Sequence, residues 1–253
     1  MGKVIIFLYG VVSYVIFFVT FLYLIAFLGN FTGLPYVGDY VTRTIDSGTP
    51  GPAGLAILTN VALLALFGVT HTIMARPWFK KRWTRIVPKS AERSTYVLVS
   101  SLVLILLYRE WQPMTDMVWV VNDPIWAMVL WILFLGGFGL VLVSTFLIDH
   151  FELFGLSQVL ANLRDKPLPA HHKFVSPLFY KIVRHPLYVG WIVAFWATPE
   201  MSAGHMLFAA GLTAQILISI PYEEADIEES LGEPYRNYKA RVPMLIPFLK
   251  SKD

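Results

Sequence analysis

Two stretches of this chain hold residue types that could do chemistry together. Val183–Gly190 reads V-R-H-P-L-Y-V-G, and Glu223–Pro247 reads E-E-A-D-I-E-E-S-L-G-E-P-Y-R-N-Y-K-A-R-V-P-M-L-I-P. They bring Arg184, His185, Tyr188, Glu223, Glu224, Tyr235, Tyr238 and Arg241 to either end of one short hydrophobic hairpin. Such a set offers cations for a carboxylate, carboxylates for an amine or for ribose hydroxyls, and rings for a base. It suits an amphipathic nucleoside cofactor better than a bare metal ion. An interfacial belt of salt bridges and aromatics would use the same residue types. Pro186 fits the first turn of the helix that follows it. Gly190 would let a ligand or another backbone approach closely.

Three more residues could move a proton. Asp149 and His150 stand where a long apolar run ends, and His71 stands near the end of another. Ionisable groups at such depths are costly unless paired or functional. The alternative for His71 is a histidine bonded to a neighbouring backbone or hydroxyl group. No metal is expected, because His171 and His172 are adjacent and no H-E-x-x-H pattern occurs. With no cysteine, a disulfide framework, a thiolate nucleophile and a thiolate metal site are excluded.

The elements that must position these groups are membrane helices. The chain has 253 residues, 56% hydrophobic and 15% charged, far from the usual soluble composition. Val4–Leu28, Ala53–Ala75, Thr95–Tyr108 (extended back through Ala91) and Ile125–Ile148 read as four full spans. The first is too long for a signal peptide and lacks an evident cleavage site, so it reads as a retained span. Leu187–Thr198 and Ser202–Ile220 form a shorter hairpin around Pro199, which either crosses or re-enters. Seven Lys/Arg crowd the loop Arg76–Arg93, and this topology puts 18 of the 20 on one side. That side is expected to be the cytoplasm, with both termini on it. The basic balance is thus a topology signal, and no nucleic-acid surface is expected. The fold expectation is an all-α polytopic membrane bundle of one domain. Residues 1–148 supply the spans and 149–253 the cofactor-binding and catalytic region. Gly232 should stop the helix carrying the Glu pair, Pro234 should start a last short helix, and Pro243 should end it.

Arg184-His185-Pro186-Leu187-Tyr188-Val189-Gly190-Trp191 resembles the signature of the isoprenylcysteine carboxyl methyltransferase superfamily. The lead-in His172–Tyr180 and the tail from Glu223 resemble the flanking motifs of that superfamily. Three further segments are similar to its nurim-like branch. They are His71–Pro77, Glu92–Tyr96 and Phe146–Leu156. The resemblance implies an integral-membrane enzyme, in a bacterial inner membrane, that uses S-adenosyl-L-methionine. It implies a cofactor pocket framed by Arg184, His185, Pro186, Tyr188, Gly190, Glu223, Glu224, Tyr235, Tyr238 and Arg241. His172, Phe174, Val175 and Tyr180 would make the opposite wall.

Two departures from the family pattern are informative. Leu178 stands where the relatives usually have Gly. Carboxyl methyltransferases carry an Arg about four residues before the Glu pair, where this chain has Ile218-Ser219-Ile220. Loss of that cation argues against a carboxylate acceptor and fits a small neutral thiol. His150, Asp149 or His71 would then take the thiol proton, since the thiolate is the competent nucleophile. Two other readings stay open: an NADPH-dependent membrane reductase, and a non-catalytic membrane protein of the nurim type.

Overall fold

The computed structural model describes residues 2–32, 39–169 and 176–249. Among the described residues, five helices are long and apolar enough to cross a membrane. They are α1 (Gly2–Leu28), α2 (Ala53–Ala75), α4 (Lys89–Glu110), α5 (Pro124–Ile148) and α9 (Ala203–Leu231). Shorter pieces join them: α3 (Pro77–Trp83), α6 (His150–Leu153), α7 (Leu156–Leu163), α8 (Pro186–Trp196) and α10 (Glu233–Lys239). Two short strands, β1 (Met117–Val120) and β2 (Glu200–Ser202), and a 3-10 turn at Leu178–Lys181 complete the described elements.

The outer faces of the long helices are apolar. Ile5, Leu8, Val12 and Val19 of α1, Leu55 and Leu58 of α2, and Ile125, Met128 and Ile132 of α5 are all exposed. In water such surface would be a liability; in lipid it is the required exterior. Inside, Phe27, Tyr108, Trp111, Phe134, Phe138, Phe195 and Phe208 form a buried aromatic core. Caps fix several helix starts. Asp123 accepts from the backbone N–H of Ile125 and Trp126 to begin α5, with Pro124 in the first turn. Ser202 accepts from His205 N–H to begin α9.

The four expected spans are present, and the hairpin's second arm is a fifth long helix. α9 runs past the expected end at Ile220, through Pro221, to Leu231. Proline removes one backbone donor but keeps a helical φ, and long membrane helices absorb that loss through neighbouring groups. Gly232, at φ 63°, stops α9 as expected. Pro234 lies in the first turn of α10, also as expected. That helix, however, ends at Lys239, before Pro243. Instead of terminating a helix, Pro243 offers its carbonyl to the Arg184 N–H at 2.8 Å.

The hairpin reaches the far end of the bundle. β2 pairs antiparallel with β1, which lies in the connection between α4 and α5. Pro199 O accepts from Val121 N–H, and Thr198 O accepts from the Trp119 indole. The turn therefore sits at the end opposite the basic loop.

α8 is short, so its first residue starts inside the bundle. α8 lies against α5 with Gly190 between Gly137 and Val141. That antiparallel register puts Pro186 about five residues short of the end of α5, roughly 8 Å at helical rise. Arg184 and His185 are consequently recessed between the projecting ends of α5 and α9.

Candidate functional site

A buried polar hub holds the recess together. Arg184 Nε donates to Glu224 Oε1 at 2.7 Å, and its Nη2 approaches Oε2 at 3.4 Å. Its Nη1 donates to the carbonyls of Lys239 (3.0 Å) and Val242 (2.7 Å). His185 Nε2 meets the same Glu224 Oε1 at 2.9 Å, and Lys239 Nζ lies 3.4 Å from Oε2. Arg184 is 6% and Glu224 4% exposed. Buried charges persist only when paired and hydrogen-bonded, and here both side chains are almost saturated by protein. Expected among the cofactor residues, they tie α8, α9 and the 239–244 segment together.

The other expected residues lie beside that hub. Tyr188, in the first turn of α8, donates to Glu223 Oε2 at 2.6 Å. Its ring stacks on His185 with centroids 5.4 Å apart. Pro186 and Gly190 are buried, Gly190 against α5. The Tyr238 hydroxyl donates to Tyr180 O at 2.6 Å, and Tyr235 packs on Tyr238 with centroids 5.9 Å apart. Burial pushes the Tyr238 phenol up to about 12, with Arg184 opposing and Glu224 reinforcing. It also raises Tyr180 and Tyr235, with Glu223 adding to the first and Glu224 to the second. All three stay neutral donors at physiological pH. Among the described residues the buried Tyr180 hydroxyl has no hydrogen-bond partner. Arg241 is exposed and donates to Asn237 O. His172, Phe174 and Val175 lie outside the described residues.

An orphan phenol, a half-buried carboxylate, tyrosine rings and an exposed guanidinium fit a nucleoside bearing an amino-acid tail. The donor set would hold such a group: Glu223 or Tyr180 for hydroxyls, Tyr235 and Tyr238 for the base, Arg241 for a carboxylate.

The three segments that resemble the nurim-like branch pack against one another. His71 of α2 faces Tyr96 of α4, whose hydroxyl lies 2.8 Å from Nε2 and 3.1 Å from Nδ1. Ser100 Oγ is 3.1 Å from Nδ1, and the imidazole stacks on Phe67. Arg93 spans two segments: its guanidinium lies 5.2 Å over the Tyr96 ring while Nε donates to Leu153 O at 2.7 Å. Gly155 packs so tightly on Ser94 that a Cβ would come within 2.7 Å of its backbone nitrogen. Its φ of 88° independently favours glycine.

α2 and α9 run alongside each other with a fixed offset of 147 residues, pairing Gly68 with Gln215 and Thr72 with Ser219. Gln215 Nε2 lies 2.5 Å from Thr72 Oγ1 and 3.0 Å from Ser219 Oγ. A neutral polar network therefore surrounds Ser219, one turn before Glu223 on α9. One turn further, Arg76 pairs with Asp226 at 2.8 Å.

His150 has a different occupation. Its Nδ1 meets Thr145 Oγ1 and its Nε2 the Tyr14 hydroxyl, each at 2.8 Å. Thr145 already donates to Leu142 O, so Nδ1 carries the hydrogen and Nε2 accepts from Tyr14. The ring is 2% exposed, stacked on Phe146 at 4.1 Å and edged by Phe154. Both nitrogens serve packing between α1, α5 and α6. Asp149 Oδ1 caps α6 by accepting from Glu152 N–H. Residue-type reasoning did not single out Tyr96, Lys239 or Gln215. The spacing Tyr96–Ser100, one turn of α4, was the available signal for the first.

Compared with known proteins, the chain is 49% identical over 249 residues to methanethiol S-methyltransferase 1 of Bradyrhizobium diazoefficiens, covering 98% of this chain and 84% of the relative. It is 47% identical over 241 residues to the methanethiol S-methyltransferase of Mycobacterium tuberculosis, covering 95% of each. Nurim of Rattus norvegicus is 26% identical over 175 residues, 66% of each chain. No family model and no solved structure matches the chain.

Proposed function

Because this chain belongs to the methanethiol S-methyltransferase family, we propose that it methylates methanethiol to dimethyl sulfide with S-adenosyl-L-methionine as donor. The observation that carries this reading is likeness to enzymes of that name along nearly the whole chain. Hydrogen sulfide is a second acceptor, because a pocket distinguishes one methylene by only about 1–3 kcal/mol. The neutral Gln215–Thr72–Ser219 network supports an uncharged acceptor.

Bound at Glu223, Tyr188, Tyr180, Tyr235, Tyr238 and Arg241, S-adenosyl-L-methionine supplies a sulfonium methyl that a thiolate sulfur can take in one in-line displacement. The protein's own work is threefold. The Arg184–Glu224–Lys239 frame holds the walls of the recess at fixed spacing, which favours reaction by positioning. The apolar bundle keeps the site dry, so neutralisation of opposite charges in the transition state proceeds without a hydration shell to rebuild. A base must take the thiol proton, because alkyl thiols are largely protonated at neutral pH. Of His71, Asp149 and His150, His71 is the proposed group that ends up holding that proton, supported by its phenol and hydroxyl neighbours. The basic loop 76–93 and both termini face the cytoplasm of a bacterial inner membrane. The cofactor enters there, and the volatile thiol arrives from the bilayer.

The test is purified protein in detergent or nanodiscs, supplied with S-adenosyl-L-methionine and methanethiol, with headspace gas chromatography for dimethyl sulfide. Product above the protein-free background is expected. Calorimetric binding of NADPH in place of S-adenosylhomocysteine, with no dimethyl sulfide formed, would sink the reading in favour of a reductase. Binding of neither leaves only a non-catalytic membrane protein.

A further inference from the structure

We propose that Tyr96 is a catalytic residue whose phenol takes the proton of the acceptor thiol and passes its own to His71. The inference rests on the thiol methylation proposed above and deepens it.

Three observations carry it. First, His71 has no open nitrogen of its own. Ser100 occupies Nδ1, Phe67 covers one ring face, and the Tyr96 hydroxyl lies across both nitrogens. A proton reaches the imidazole through that hydroxyl. Second, the pair stands beside the helix that carries Glu223. Thr72, next to His71 in α2, meets Ser219 Oγ of α9 at 3.1 Å. Ser219 lies one turn before Glu223, which accepts from Tyr188. Third, the Arg93 guanidinium lies over the Tyr96 ring, held there by Leu153 O. A cation on the ring face stabilises negative charge growing on the phenol oxygen. The Tyr188 phenol, by contrast, already donates to Glu223, and a carboxylate is a weaker base than an imidazole.

The step balances simply. The thiol S–H bond breaks and its proton goes to the Tyr96 oxygen, while the Tyr96 proton goes to a His71 nitrogen. The sulfur electron pair forms the new S–CH3 bond as the donor's methyl–sulfur bond breaks, with that pair remaining on the donor's sulfur. The imidazolium then releases its proton to solvent.

The test compares full-length wild type with Tyr96→Phe, using methanethiol and the more acidic trifluoroethanethiol across a pH series. S-adenosylhomocysteine affinity is measured in parallel. Loss of the relay should lower kcat for methanethiol by about 10²–10⁴-fold, the usual scale of general-base catalysis. The loss should shrink with trifluoroethanethiol and with rising pH, because those thiols ionise without help, while S-adenosylhomocysteine affinity is kept. Wild-type turnover by Tyr96→Phe overturns the inference. So does an equal loss with both thiols at every pH, which marks a structural hydroxyl. Wild type that forms no dimethyl sulfide overturns the functional reading itself, an outcome distinct from either.

Discussion

Gly190 of α8 and Gly137 of α5 meet backbone to backbone. A Cβ on Gly190 would stand 2.8 Å from the Gly137 carbonyl oxygen, and one on Gly137 would stand 2.7 Å from that of Gly190. This contact sets how deep His185 sits, because α8 begins only one turn before it. Small residues let membrane helices approach this closely. Gly190→Ala should cost about 1–3 kcal/mol, the range for overpacking a tight contact. Thermal unfolding in detergent checks it, and a melting temperature equal to wild type would show that α5 and α8 have room to part.

Glu224 is the anion on which Arg184, His185 and Lys239 converge. Glu224→Gln leaves a buried guanidinium without its counter-charge. Removing one partner of a buried pair costs about 3–5 kcal/mol. The variant should melt lower and bind S-adenosylhomocysteine more weakly, because the frame loosens. Arg184→Lys should fail to rescue the frame in the same assays, since an ammonium cannot reach Glu224 and two carbonyls in one plane.

His150 gives stability a pH dependence. Burial lowers its pKa from the ordinary 6.5, with Asp149 opposing. In the fold it is neutral, accepting from Tyr14. Above the unfolded value both states are neutral and its contribution is complete. As pH falls below 6.5 the unfolded chain takes the proton first, and the contribution is lost as pH passes down through the folded value. The melting temperature should therefore fall on acidification, and His150→Gln should flatten that part of the curve. Identical acid limbs for the two proteins would rule the residue out as the source.

Leu178 sits at φ 41°, in the region that a β-carbon makes costly by about 1–2 kcal/mol. Its side chain is largely exposed, so little packing offsets the strain. Leu178→Gly should be neutral to stabilising by up to about 1 kcal/mol, after glycine's extra unfolded-state entropy. A clear drop in melting temperature would mean the leucine has a packing role.

The sequence by itself carried the class of the fold. Apolar runs of membrane length can only be helices, because lipid offers the backbone no partner. The same logic made the concentration of Arg, His, Glu and Tyr after residue 180 conspicuous. Gly232, Pro186 and Gly190 act as their types require, since a positive φ, a missing N–H or an absent Cβ is a local constraint. What residue type could not tell is whether a polar group is already satisfied. Arg184 and His150 read as candidates because charge and imidazole are rare in a membrane. Tertiary contacts saturate both, one with Glu224 and two carbonyls, the other with Thr145 and Tyr14. Tyr96 stood in a segment picked out by resemblance, yet its type gave it no role, because tyrosine is ordinary in such helices. Only the packing of α4 on α2 lays its hydroxyl across His71. Saturation is a property of neighbours, and neighbours 25 or 136 residues away are chosen by the fold.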